Sequence, residues 1–115
     1  MTCSQLNCLL EMKRLSERMR EVASVRLTKS LHLSKPSVHR LLEGLVNLGL
    51  IEKEYYGAAC LTEKGAKLAD TMLAKLEKLA ARLGEDIVRP ESSRSAALLL
   101  LSGLDEDCFA CFPKD

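Results

Sequence analysis

The chain has 115 residues, the usual size of one compact domain. It is 47% hydrophobic but has only two Phe, two Tyr and no Trp, so its core must be built from Leu, Val, Met and Ala, and its Leu-rich, charge-rich, Gly-poor makeup favours helices. A net charge of +1 argues neither for nor against a nucleic-acid partner.

No window reaches the roughly 20 apolar residues needed to span a bilayer, and the start "MTCSQLNCLLEMKRLSERMR" lacks the long apolar stretch of an export signal. A cytoplasmic protein with reduced thiols is the expectation, with no membrane partner. There is no glycine-rich phosphate loop, and no Ser–His–acid or Cys–His pattern has a reason to converge, so an enzyme is not expected. Charge is distributed unevenly: residues 12 to 40 carry eight Lys or Arg against two Glu, and the remainder to the C-terminus is net acidic. That asymmetry suggests a basic face on a small molecule.

Residues 4 to 22 read as a first helix, with Leu6, Leu9, Leu10, Met12, Leu15 and Met19 recurring at steps of three and four. Ser24 is placed to cap a short second helix near Val25 to Leu31, and "HLS" then makes a tight turn. Ser34 is an N-cap for a third helix, with Lys35 and Pro36 in its first turn, Val38, Leu41, Leu42, Leu45 and Leu48 on one face, and Gly49 at its C-terminal end. Alternation of Ile51, Lys53 and Tyr55, then Ala59 and Leu61, about Tyr56–Gly57 predicts a β-hairpin. Thr62 is a plausible cap for a long amphipathic helix over 63 to 83, which Gly84 is expected to end. Ser92 or Ser93 caps a fifth helix through Leu101, and Ser102–Gly103 breaks it. "LDEDCFACF" fits one last short helix, with Asp105 and Glu106 at its positive end.

Three helices followed by a hairpin is the winged helix-turn-helix order. The expected fold is mainly α: a winged helix-turn-helix with a two-stranded β-wing over residues 1–62, followed by a long linking helix and helical dimerisation segment over 63–115. The N-terminal end of the third helix enters the DNA major groove in helix-turn-helix proteins. Ser34, Lys35 and Ser37, with Pro36 beside them and the free N–H groups of the helix start, suit phosphates. Arg40 can give two parallel bonds to a guanine edge, and His39 can touch a base or a phosphate. Tyr56 at the hairpin tip can lie along an adjacent phosphate or minor groove. Lys29, with Lys13, Arg14, Arg18, Arg20 and Arg26, adds attraction that does not depend on sequence. Two other readings are a merely solvated basic helix and a winged helix that binds a protein.

The segment "LTKSLHLSKPSVHRLLEGLVNLGLIEKEYYGAACLTEKGAKLA", residues 27 to 69, resembles the DNA-binding half of the diphtheria-toxin-repressor and manganese-transport-regulator family. "LSKPSV", "GLIEKE" and "LTEKGAKLA" carry the likeness. The multiple-antibiotic-resistance regulators share an "LT-x-x-G", but usually have an Asp-x-Arg wing tip where this chain has Tyr-Tyr-Gly. The resemblance implies a homodimeric, iron-dependent-repressor-type transcription regulator on a palindromic double-stranded DNA operator. It also implies Fe2+ or Mn2+ held between the first, fourth and fifth helices.

The family's metal ligands do not carry over. Its first-helix ligands align with Ser4 and Asn7, with Glu11 as a substitute if the helix slides. Its long-helix His aligns with Leu76, and its fifth-helix ligands with Leu98, Leu101 and Ser102. Leucine cannot ligate a hard divalent ion, so no cofactor is expected. A metal-responsive repressor with substitute ligands is the alternative. Cys108 and Cys111 supply two of the four ligands of a structural zinc, and Cys3 or Cys8 could join them in a metal site or a disulfide; buried structural thiols are commoner. Dimerisation is expected through Leu98, Leu101, Leu104 and Phe109.

Overall fold

The computed structural model describes residues 1–53 and 57–103. Tyr56, Leu104, Cys108, Phe109, Cys111 and the expected last helix lie outside them. Five helices and three short strands follow in order: α1 (Cys3–Ser16), β1 (Val22–Ala23), α2 (Ser24–Leu31), α3 (Lys35–Asn47), β2 (Ile51–Lys53), β3 (Ala58–Leu61), α4 (Glu63–Asp86) and α5 (Ser93–Gly103), with a 3₁₀ turn at Pro90–Ser92. The mainly helical winged form is as expected. No helix among the described residues is long and apolar enough to cross a membrane.

α1 starts with a capping box. Thr2 Oγ1 accepts from the Gln5 N–H at 3.1 Å, and Gln5 Oε1 accepts from the Thr2 N–H at 2.9 Å. Leu6, Cys8, Leu9, Leu10 and Met12 are all buried, which is most of the circumference rather than one stripe. α1 packs against α2, α3, α4 and α5, so a boundary at residue 62 divides the elements but not the core. Its one polar side, by helical period, carries Ser4, Asn7, Glu11 and Arg14.

α1 stops at Ser16, not at residue 22. Val22 and Ala23 instead pair antiparallel with Ala59 and Ala58, which gives the sheet a third strand, in the order β1-β3-β2. The Ser24 N–H continues this ladder to the Gly57 carbonyl at 3.0 Å. Ser24 is therefore the first residue of α2 rather than its cap, which is Ala23. In the wing, Ile51 faces Leu61 and Lys53 faces Ala59.

The end of α3 and the start of α4 are fastened together. Gly49 has φ +75°, its N–H reaches the Val46 carbonyl at 2.9 Å, and the Leu50 N–H reaches the Leu45 carbonyl at 3.0 Å. This left-handed closure is the reason for a glycine there. Thr62 caps α4 by accepting from the Gly65 N–H at 3.0 Å, and its hydroxyl donates to the Gly49 carbonyl at 2.7 Å. The Thr62 N–H reaches the Leu50 carbonyl at 3.1 Å, and Lys64 Nζ donates to the Leu48 carbonyl at 3.2 Å. A Cβ on Gly65 would lie 1.9 Å from the Leu50 oxygen, so only glycine fits.

Gly84 does not end α4, which runs on to Asp86. The glycine lies against Ser93 and Pro90, where the chain folds back into α5. Ser93 donates its hydroxyl to the Pro90 carbonyl at 2.9 Å instead of capping α5, and Ser102–Gly103 are still helical.

The two glycines should respond oppositely to alanine. Gly65→Ala forces backbone apart and should cost about 2–3 kcal/mol. Gly84→Ala adds a Cβ at an ordinary 3.5 Å from Ser93 and should gain about 0.5–1 kcal/mol from helix propensity. Urea unfolding of both variants measures the difference; equal effects would contradict the packing at Leu50.

Candidate nucleic-acid interface

α2 and α3 are joined by a three-residue turn. His32 takes a left-handed conformation, φ 56°, and the Leu33 N–H returns to the Thr28 carbonyl at 3.2 Å. Non-glycine residues adopt this region at some cost, and here it aims α3 away from α2. Ser34 then caps α3, accepting from the Ser37 N–H at 3.3 Å and donating its hydroxyl to Ser37 Oγ at 2.9 Å. Val38 N–H bonds the Ser34 carbonyl at 3.0 Å, and Pro36 has no N–H. The first turn of α3 is therefore largely satisfied internally. It offers less free N–H to an anion than expected from its sequence.

Val38, Leu42 and Leu45 bury one side of α3, while Lys35, Pro36, His39, Arg40 and Glu43 are exposed on the other. Arg40 makes a long 3.5 Å contact from Nε to the Pro36 carbonyl, and the residue is exposed. Lys29 is exposed on the last turn of α2. Between α2, α3 and the wing lies a cleft of about 440 Å³. Lys35 and His39 line it from α3, Lys53 and Gly57 from the wing, and Ser24 and Thr28 from α2, with Leu42 and Pro36 also on its walls. The structure thus brings Lys35, Pro36 and His39 together and adds Lys53, Ser24 and Thr28, which sequence reasoning did not select. The strand alternation that places Lys53 on the same face as buried Ile51 was the available signal.

The basic block does not form a single face. Lys13 pairs with Asp70 at 3.4 Å, and Arg14 is bound to Glu11. Lys13 and Arg20 line a second cleft of about 450 Å³ that also contains Glu52 and Glu63, so its charges offset one another.

On the polar side of α1, Glu11 accepts from Arg14 Nε at 2.9 Å and also from Arg14 Nη2 and the Ser30 hydroxyl. Burial alone would push the Glu11 carboxyl up. The hydrogen bonds from Arg14 and Ser30, with the charges of Arg14 and Arg94, outweigh it and hold the carboxyl below its usual 4.5. This carboxylate thus links α1 to α2 and feels α5, and guanidinium groups already neutralise it. Nearby, Leu76 is fully buried, Leu101 is 3% exposed and Leu98 packs half-buried against the same core. The residues between α1, α4 and α5 therefore do not fit a hard divalent ion. Among the described residues, no three His, Cys, Asp or Glu side chains are grouped as metal ligands would be.

Leu101, expected at a dimer contact, is buried in the core of the chain, and Leu98 packs partly buried against that core. The leucines that α5 exposes are Leu99, at 62%, and Leu100. Cys3 and Cys8 are free thiols, Cys8 buried and Cys3 partly so. Burial, and then the Glu11 charge, push the Cys8 thiol up to about 11, which makes it a poor thiolate ligand or redox partner.

Comparisons with known proteins agree on the fold. A family model for the IclR helix-turn-helix domain matches residues 12–54, less than half of the chain. No curated protein sequence matches significantly. The hypothetical protein SSo2273 from Sulfolobus solfataricus is similar in structure, with a TM-score of 0.72 and 17% identity over 94% of this chain and 83% of its own. The manganese regulator SloR gives a TM-score of 0.76 at 21% identity over 96% of this chain. IdeR of T. acidophilum gives 0.66 at 22% over 89%. The chain carries a winged helix-turn-helix. It spans about half the length of the latter two proteins, 54% of SloR and 48% of IdeR.

Glu11 has a folded pKa below its unfolded one, so its stabilising contribution is present above the unfolded value and lost as pH falls through the folded value. Glu11→Gln should therefore lower the urea midpoint at pH 7, with the gap to the parent closing as pH falls through the lowered value of the Glu11 carboxyl. A gap that stayed constant with pH would show that the carboxylate charge is not what holds α2.

Proposed function

We propose that this protein is a sequence-specific DNA-binding regulator of transcription, acting as a repressor. In this reading α3 enters the major groove, Arg40 reads a guanine edge, and Ser34, Lys35 and Ser37 meet phosphates, with Pro36 presetting the turn that presents them. The wing and Lys29 contact the flanking backbone. The observation that carries the reading is the cleft lined by Lys35 and Lys53 between α3 and the wing, beside an exposed Arg40. The IclR helix-turn-helix match and the fold shared with a manganese regulator support it.

The regulator works as a homodimer on a palindromic operator in the cytoplasm, with residues 1–62 reading DNA and 63–115 joining the subunits. The exposed side of α5, at Leu99 and Leu100, is the described surface that supports such a contact. It belongs to the same broad type as the iron-dependent repressors but does not use their metal: Leu76 and Leu101 fill the space, and Glu11 is neutralised by arginine.

Titration with random duplex and with a selected operator should show affinity falling steeply with salt, unchanged by EDTA or manganous ion, at two chains per operator. Lys35→Ala should weaken binding to all sequences alike. Arg40→Ala should cost about 1–3 kcal/mol and relax preference at one base pair. Leu99→Glu should break the dimer, so that single chains bind isolated half-sites and the two halves of the operator fill independently and more weakly. Binding that ignored salt would favour a protein-binding winged helix, and binding that needed manganese would overturn the metal-independent reading.

A further inference from the structure

His39 is the exposed side chain on α3 whose two ring nitrogens are both engaged. Lys53 Nζ lies 2.9 Å from Nδ1, and Glu43 Oε1 lies 2.9 Å from Nε2. These contacts join two elements: Lys53 ends β2, while His39 and Glu43 are one helical turn apart on α3. Strand alternation turns Lys53 to the face that buries Ile51, so its aliphatic stem runs along the cleft towards α3 and its ammonium ends at the imidazole.

The chemistry allows one arrangement of protons. A lysine ammonium has only donors, so Nδ1 must present its lone pair. The proton of the neutral ring then sits on Nε2, from which it is donated to the Glu43 carboxylate. Lys53, His39 and Glu43 form a continuous donor–acceptor chain from the wing to α3. A ring with both nitrogens spent in this way has nothing left for a base edge.

We propose that Lys53–His39–Glu43 is a strut that sets the wing against the recognition helix, with His39 a positioning residue rather than a reader of DNA. The strut fixes the spacing between the wing and α3, and with it the separation of Lys53 and Lys35 across the cleft. It leaves Arg40 as the base reader among these side chains. The proposal rests on the reading of α3 and the wing as the DNA-contacting surface.

Two measurements test it, one of them independent of DNA. Long-range proton–nitrogen spectra of the free protein at pH 8 should show His39 as the neutral Nε2–H tautomer, and Lys53→Met should shift it towards the mixture of an unrestrained imidazole. A ring in mixed tautomers that is indifferent to Lys53→Met overturns the strut. In DNA titrations, His39→Ala and Lys53→Met should each weaken binding about three- to tenfold without changing base preference, and the double variant should be no weaker than the weaker single. Additive losses, with preference relaxed at one base pair in His39→Ala, would make His39 a base reader. Should no duplex be bound at all, the DNA reading fails, and the tautomer still decides whether the strut exists.

Discussion

The Leu50 carbonyl is the point at which recognition helix, wing and long helix are tied together. It accepts the Thr62 N–H, and Gly65 packs directly on it. One residue before it, the Gly49 carbonyl is held by the Thr62 hydroxyl, and two before it that of Leu48 is held by Lys64 Nζ. Two residues of "TEKG", Thr62 and Lys64, thus satisfy the carbonyls that follow the end of α3, Gly65 makes room for the approach, and a lysine there also suits the negative end of the helix dipole. Since β2 starts at Ile51 and β3 ends at Leu61, the same clasp closes the base of the wing. The angle between α3 and α4 follows from it, and so does the direction in which the exposed side of α3 faces.

Around this clasp, α1 acts as the axis of the core. It is buried on most sides, and its single polar side is closed by Arg14, Ser30 and the charge of Arg94 about Glu11. Glu11 is part-buried and Arg14 exposed, so this cluster fixes an arrangement more than it adds net stability. Leu76 and Leu101 lie in the same core, and Leu98 packs against it.

The features readable in the sequence were those decided within a few residues. Ser34 and Thr62 as caps, Gly49 as a left-handed stop and the alternation of Ile51 and Lys53 all follow from local rules. Those that were missed depend on partners distant in the chain. Val22–Ala23 is a strand only because β3 lies beside it, so the periodic pattern of α1 was read past its true end. Gly84 looks like a helix stop, but its missing side chain makes room for the return into α5. Leu98 and Leu101 share one apolar run with Leu99 and Leu100, and only packing decides which of them face inward. The exposure of Lys35 and Arg40 was legible from their place on α3, whereas the position of Lys53 in the cleft needed the wing folded over the helix.

The most direct measurement is amide mapping by NMR of the free chain titrated with a duplex in EDTA at low salt. If α3 and the wing form the reading surface, the shifts concentrate at Ser34, Lys35, Ser37, Arg40, Lys53 and Gly57, with Ser24 and Thr28 beside them. Shifts confined to α5 or to the outer side of α4, with α3 unmoved, would contradict it.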